Sequence, residues 1–189
     1  DGKIKEIREQ LKDLDFEIIA LDKFPQLQNI KEDGDSFKEN ALKKARVSAK
    51  ETGVLTLADD SGLEVDALDG KPGIYSARFS GKNATDEKNN EKLLEELKGI
   101  SKEKRTARFR CVMALYDPEN DYKSTVNGRC EGLILESPRG ENGFGYDPLF
   151  YVKSEKKAMA ELSSDKKNEI SHRAVALNKM KKVIKERYS

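Results

Sequence analysis

Apolar residues recur at helical spacing from the start of the chain: Ile4, Ile7, Leu11 and Leu14 stand among charges, which predicts an amphipathic helix over about Lys3 to Leu14. Phe16 to Leu21 then reads as a strand, and a polar loop leads to Ser36, the N-cap of a second helix running to about Thr52 and closed by Gly53. Phe37, Ala41 and Ala45 mark its buried stripe. Val54 to Ala58 follows as a strand, Asp59-Asp60-Ser61-Gly62 as a turn, and Leu63 to Val65 as a second short strand, in a hairpin or a strand switch. Asp69 to Gly81, rich in Gly, Pro and Ser, reads as a structured loop. Thr85 or Asp86 caps a third helix to about Leu97. Ala107, Phe109, Cys111, Met113 and Leu115 alternate with Arg108 and Arg110 as a long strand, which Asp117-Pro118-Glu119-Asn120 turns back. Tyr122 to Cys130 and Gly132 to Leu135 read as further strands, and glycine-rich residues from Gly140 to Pro148 lead into the apolar Leu149 to Val152. Ser171 starts the last helix, with Ala174, Leu177, Met180 and Ile184 facing inward.

Helices and strands alternate early and strands predominate in the middle, which predicts an α/β fold: a mixed twisted sheet with an antiparallel extension and flanking helices, in two lobes around a central cleft. A chain of 189 residues without internal repeats fits one domain, residues 1–189. Composition narrows the partners. Lys and Arg number 36 against 35 Asp and Glu, a formal charge of +1, so no global field favours a polyanion and nucleic acid is not an expected partner. No apolar stretch is long enough to span a membrane and the start lacks the apolar core of a secretion signal, so a cytoplasmic protein is expected. Cys111 and Cys130 form no CxxC pair and read as reduced packing residues. His172 is the sole histidine, which excludes a site built from several; a metal here would be oxygen-bound, magnesium or manganese.

Asp59 and Asp60, placed at the end of an apolar strand, are the first candidates for chemistry, with an Asx-type turn as the structural alternative. Glu39, three residues after Ser36, completes a capping box, which is reason enough for it; the alternative is a second carboxylate for the same Mg²⁺. Gly143-Phe144-Gly145-Tyr146-Asp147-Pro148 combines two glycines, two aromatics and a carboxylate. Phe144 could stack on a planar base and Asp147 accept from base N–H groups; the alternative is a tight turn with its aromatics in the core. Lys167, His172 and Arg173 gather donors near the start of the last helix, where anionic or acceptor groups are favoured, or simply cap it. Lys43-Lys44, Lys102 to Arg105 and Lys179 to Lys182 read as solvated faces.

Five segments in order resemble the inosine triphosphate pyrophosphatase family, hydrolases of aberrant purine nucleoside triphosphates: Ser36-Phe37-Lys38-Glu39-Asn40-Ala41, Ala58-Asp59-Asp60-Ser61-Gly62-Leu63, Pro72-Gly73-Ile74-Tyr75-Ser76-Ala77-Arg78, Phe144-Gly145-Tyr146-Asp147-Pro148 and Ile170-Ser171-His172-Arg173. The resemblance implies a homodimeric enzyme that splits ITP, dITP or XTP into the monophosphate and pyrophosphate, by Mg²⁺-assisted attack of water on the alpha phosphate. It implies Asp60 as proton acceptor and metal ligand, Glu39 as the partnering ligand, and Ser61 as a substrate contact. It also implies Lys3 and Lys167 as lysines that steady the triphosphate, and Phe144, Gly145, Tyr146, Asp147, His172 and Arg173 as the base-selecting set. The family opens with an apolar strand ahead of the Gly-Lys that Gly2-Lys3 resembles, and that strand is absent from these 189 residues. A pyrophosphatase of the related septum-associated type, acting on modified pyrimidine nucleotides, and a non-catalytic purine-nucleotide binder are the rival readings.

Overall fold

The computed structural model describes residues 2–27 and 30–188; the side chains of residues 2, 3, 5 and 6 are outside that description, and the expectation for the Lys3 side chain lies with them. The elements run α1 (Gly2–Leu11), α2 (Phe37–Thr52), β1 (Thr56–Val65), α3 (Asp86–Glu96), β2 (Thr106–Asp117), β3 (Tyr122–Ile134), β4 (Phe150–Val152), β5 (Lys157–Ala158), α4 (Ser164–Ile170) and α5 (His172–Tyr188). The strands form one sheet in the order β1-β2-β3-β4-β5, so sequence neighbours are sheet neighbours, and the pairing is antiparallel. The α/β class is as expected. Among the described residues no helix is long and apolar enough to cross a membrane.

Two compact units divide the chain: Asp1–Asp60 with Val112–Gly128 and Ala174–Ser189, and Ser61–Cys111 with Arg129–Arg173. In the first, Ser36 caps α2 by accepting from the Glu39 N–H at 3.2 Å, and Gly53 ends it with φ 73°, the left-handed conformation a helix C-terminus asks for. Phe37, Ala41, Ala45 and Ala49 are buried along one face of α2, and Ala174, Leu177, Met180 and Ile184 of α5 are buried as their spacing predicts. Phe16 to Leu21 is not a strand: residues 16–20 have no regular secondary structure, and a 3₁₀ helix follows at Leu21–Lys23. Strand propensity is local, whereas a strand needs a ladder partner. Here Phe16 instead meets Tyr188 edge-on at 6.3 Å, and Arg8 donates to the Ile18 carbonyl at 3.2 Å.

Two further expectations give way to longer strands. Asp59-Asp60-Ser61-Gly62 is not a turn but the middle of β1, and β3 runs unbroken through Glu131. Turn-forming residues do not break a strand of 10 residues laid beside a β2 of 12, because leaving that ladder would orphan backbone groups at each step. The expected strand at Leu149 to Val152 is β4, beginning one residue later.

The second unit holds a continuous apolar cluster that includes Leu63, Val65, Leu93, Leu97, Phe109, Ile134, Leu149, Phe150 and Met159. Burying each large side chain contributes roughly 1.5–3 kcal/mol. Cys111 and Cys130 are buried and in no disulfide. Arg105, expected on a solvated face, is buried and donates to the carbonyls of Leu97, Ile100 and Leu135 at 3.0, 3.0 and 3.3 Å, closing the end of α3. The loop expected over Asp69 to Gly81 is structured, with a 3₁₀ helix at Gly73–Arg78. The buried Ser76 hydroxyl accepts from the Leu63 N–H of β1 at 2.9 Å and donates to the Gly73 carbonyl at 2.6 Å. Ser76→Ala strands a buried N–H, so it should cost about 1–3 kcal/mol. A urea midpoint unchanged from wild type would contradict that role.

Candidate active site

In the first unit, consecutive side chains of β1 leave on opposite faces, which turns Asp60 into the interior and leaves Asp59 half-buried. The two aspartates are therefore not a pair at a strand end. Asp60 accepts from Asn40 Nδ2 at 3.2 Å through Oδ2 and meets Lys44 Nζ at 3.2 Å through Oδ1. Asn40 and Lys44 lie one helical turn apart on α2, so one face of that helix holds both carboxylate oxygens. Lys44 also bonds Glu32 Oε1 at 2.7 Å.

Burial drives the Asp60 carboxyl above its ordinary value, with Lys44 and Asn40 pulling against it and Glu32 adding to the rise. For Lys44, burial opposes the charge, yet the Glu32 bond and the charges of Asp60, Glu32 and Asp59 together outweigh it and its pKa is raised. One ammonium thus faces three carboxylates. The local surplus is negative, and a carboxylate withdrawn from bulk water is a stronger base than an exposed one.

Glu39 is exposed in the first turn of α2, and its Oε2 accepts from the Asp35 N–H at 2.8 Å. This departs from a capping box in one respect: the carboxylate reaches the residue before the N-cap rather than the N-cap itself. Asn40 Oδ1 accepts from the Gly34 N–H at 2.8 Å, so two successive peptides are tied to the start of the helix, fixing Glu39 and Asn40 together.

In the second unit, the loop after Gly143 divides its aromatics. Phe144 is 48% exposed, whereas Tyr146 lies in the apolar cluster with its hydroxyl donating to the Ser76 carbonyl at 2.8 Å. Asp147 is buried and accepts through Oδ2 from Lys167 Nζ at 2.7 Å and the Phe144 N–H at 3.2 Å. Burial raises its carboxyl above the ordinary value, with Lys167, the Phe144 N–H and Arg173 opposing. Gly143, at φ 86°, has no room for a side chain: a Cβ there would stand 2.1 Å from Asp147 Oδ2. The Lys167 ammonium and the Arg173 guanidinium lie 5.6 and 5.7 Å from the Phe144 ring centre, within cation–π range. His172 is buried, its ring stacked on Phe109 at 4.8 Å and 16°. The structure thus sets Lys167 and Arg173 against the exposed Phe144 ring, with Asp147 joined to Lys167 and to the Phe144 N–H. Ser61 sits half-buried in β1.

Lys44 and Asn40 were not singled out for chemistry by the sequence, where Lys43-Lys44 reads as a solvated pair. The helical spacing of Asn40 and Lys44 was the available signal. Lys43 does pair at the surface, with Asp33.

The Asp147–Lys167 pair sets a pH dependence. Because the folded chain holds the Asp147 proton more tightly than the unfolded chain, the stability this group contributes falls as pH rises from the ordinary carboxylate range through the raised folded value. Lys167→Met leaves a buried carboxylate without its ammonium and raises that value further. It should cost about 3–5 kcal/mol at pH 7. Near pH 4, about the unperturbed value of Asp, the cost should be clearly smaller. Urea unfolding at the two pH values measures this, and an equal cost at both would contradict it.

Residues 1–183 match the Ham1 family. A Bacillus anthracis protein named dITP/XTP pyrophosphatase is 53% identical over 186 residues, 98% of this chain and 92% of its own length. The Bacillus subtilis protein of that name is 51% identical over 183 residues, 97% and 92% of the two chains. Among solved structures, a HAM1 protein from Coxiella burnetii superposes with a TM-score of 0.91 at 46% identity, covering 98% of this chain and 94% of that one. The kinship carried by the five motifs is borne out: the chain belongs to the Ham1 family.

Proposed function

We propose that this protein hydrolyses dITP, XTP and ITP to the nucleoside monophosphate and pyrophosphate. The observation that carries this reading is the near-full-length identity to relatives named dITP/XTP pyrophosphatase. The local chemistry supports it at two places. Round Asp60, the excess of carboxylate over ammonium suits a hard divalent cation. Among the described residues no three acidic, His or Cys side chains are grouped closely enough to hold a metal by themselves. Mg²⁺ ordinarily takes only one or two carboxylates and completes its shell with water and substrate phosphate, so Glu39 and Asp60 would serve as its protein ligands, for Mn²⁺ equally. When bound, such an ion supplies Lewis acidity and lowers the pKa of water.

Asp60 would take the proton of the water that attacks the alpha phosphorus, with Asn40 and Lys44 holding its carboxylate in place. Ser61 and Lys3 would contact the substrate, as the family resemblance implies. Round Phe144, the exposed ring would stack on the base and Arg173, with His172, would donate to the six-position oxygen that hypoxanthine and xanthine carry and adenine lacks. Asp147, its Oδ2 engaged by Lys167 and the loop, would accept a base N–H through Oδ1. Lys167 then acts by keeping Asp147 charged. The resemblance extends the proposal to a homodimer in the cytoplasm.

Pyrophosphate release from XTP and dITP tests the reading. Turnover should require Mg²⁺, Asp60→Asn should lose at least about a hundredfold in kcat, and Glu39→Gln should raise the Mg²⁺ concentration needed. Near-wild-type turnover in Asp60→Asn, or release of orthophosphate in place of pyrophosphate, would contradict it.

A further inference from the structure

The loop that carries Phe144 is gripped from a helix far away in sequence. Gly145 donates its N–H to Asp86 Oδ2 at 2.6 Å, and its carbonyl accepts from Asn90 Nδ2 at 2.8 Å. Asp86 and Asn90 are four residues apart on α3, one above the other on the same face, so a single helix edge holds both polar groups of one glycine. Neither contact is needed to build the helix. Thr85 is the N-cap, its hydroxyl accepting from the Lys88 N–H at 3.3 Å. Asn90 is also a poor choice for stability alone: its Oδ1 is buried and has no hydrogen-bond partner among the described residues. A buried amide left half-satisfied costs stability, so the bond its Nδ2 makes to Gly145 is what it offers in return.

We propose that Asp86 and Asn90 are positioning residues for purine discrimination, fixing the Phe144 ring from behind through Gly145. The inference rests on the reading of the Phe144 loop as the base site. Gly145 stands between the two aromatics, at φ 61°. On one side Tyr146 is anchored in the core through its hydroxyl, and on the other Phe144 is exposed. With the Gly145 peptide held at both ends, the Phe144 backbone has one setting relative to Asp147, whose Oδ2 takes the Phe144 N–H. At 2.6 Å, the bond to the Asp86 carboxylate oxygen is a short one. Losing the clamp lets the ring and the acceptor drift apart, which weakens recognition of the base and not the chemistry at phosphorus.

The test compares wild type with Asp86→Ala, Asp86→Asn, Asn90→Leu and Glu91→Gln, an exposed carboxylate on the same helix, in steady-state hydrolysis of XTP and GTP, with thermal unfolding alongside. Asp86→Ala and Asn90→Leu should raise KM for XTP roughly tenfold with kcat within about threefold of wild type, and narrow the preference for XTP over GTP. Asp86→Asn keeps an acceptor for Gly145 while losing the charge at the helix start. It should recover most of the preference, which a purely helix-stabilising Asp86 would not allow. Glu91→Gln should behave as wild type. An unchanged KM and unchanged XTP-to-GTP ratio in Asp86→Ala or Asn90→Leu overturns the inference while the parent function stands. Wild type that hydrolyses neither XTP nor dITP removes the parent reading, and this inference with it.

Discussion

A carboxylate buried in mid-strand is the constraint from which the chemistry of the first unit follows. Asp60 sits in β1 with its side chain turned inward, where an ionised group without partners would cost several kcal/mol. The chain meets this cost with one face of α2: Asn40 holds one oxygen and Lys44 the other. The helix must then begin where it does. Ser36 caps it, and Gly34 and Asp35 are tied to the side chains of Asn40 and Glu39, so the register that aims Lys44 at Asp60 also sets Glu39. A slip of one residue would rotate Lys44 by about 100° and leave Asp60 unpaired.

The second unit repeats the device with different parts. Asp147 is buried, held by Lys167 and a backbone N–H, and the loop that surrounds it has no room at Gly143 for any side chain. In both places burial raises the carboxyl and a lysine opposes the rise. The result is an acceptor held in a fixed direction, which a solvated aspartate cannot offer.

Much of this was legible in the sequence, for reasons that differ by element. Helices α2 and α3 were clear because Ser36, Thr85 and Gly53 are caps with a local mechanism, and local mechanisms survive folding. Asp59 to Gly62 was misread as a turn because turn propensity is also local, yet the outcome was decided by a β2 that begins over forty residues later in the chain. Phe16 to Leu21 failed in the opposite sense, strand-like in composition but without a ladder. The motif residues Glu39, Asp60, Phe144, Asp147 and Arg173 could be named from their order. Lys44, Asp86 and Asn90 could not, because what marks them is a partner remote in sequence: Asp60 for the first, Gly145 for the other two.

We propose that acidic oxygens of Asp60 and Glu39 hold a divalent ion for hydrolysis. Anomalous diffraction from crystals of the protein grown with Mn²⁺ and a non-hydrolysable XTP analogue locates that ion directly. A single strong peak is expected about 2.2 Å from a carboxylate oxygen of Asp60 and within one coordination shell of Glu39. A peak bound by other side chains, with Asp60 still engaged only by Asn40 and Lys44, would contradict it.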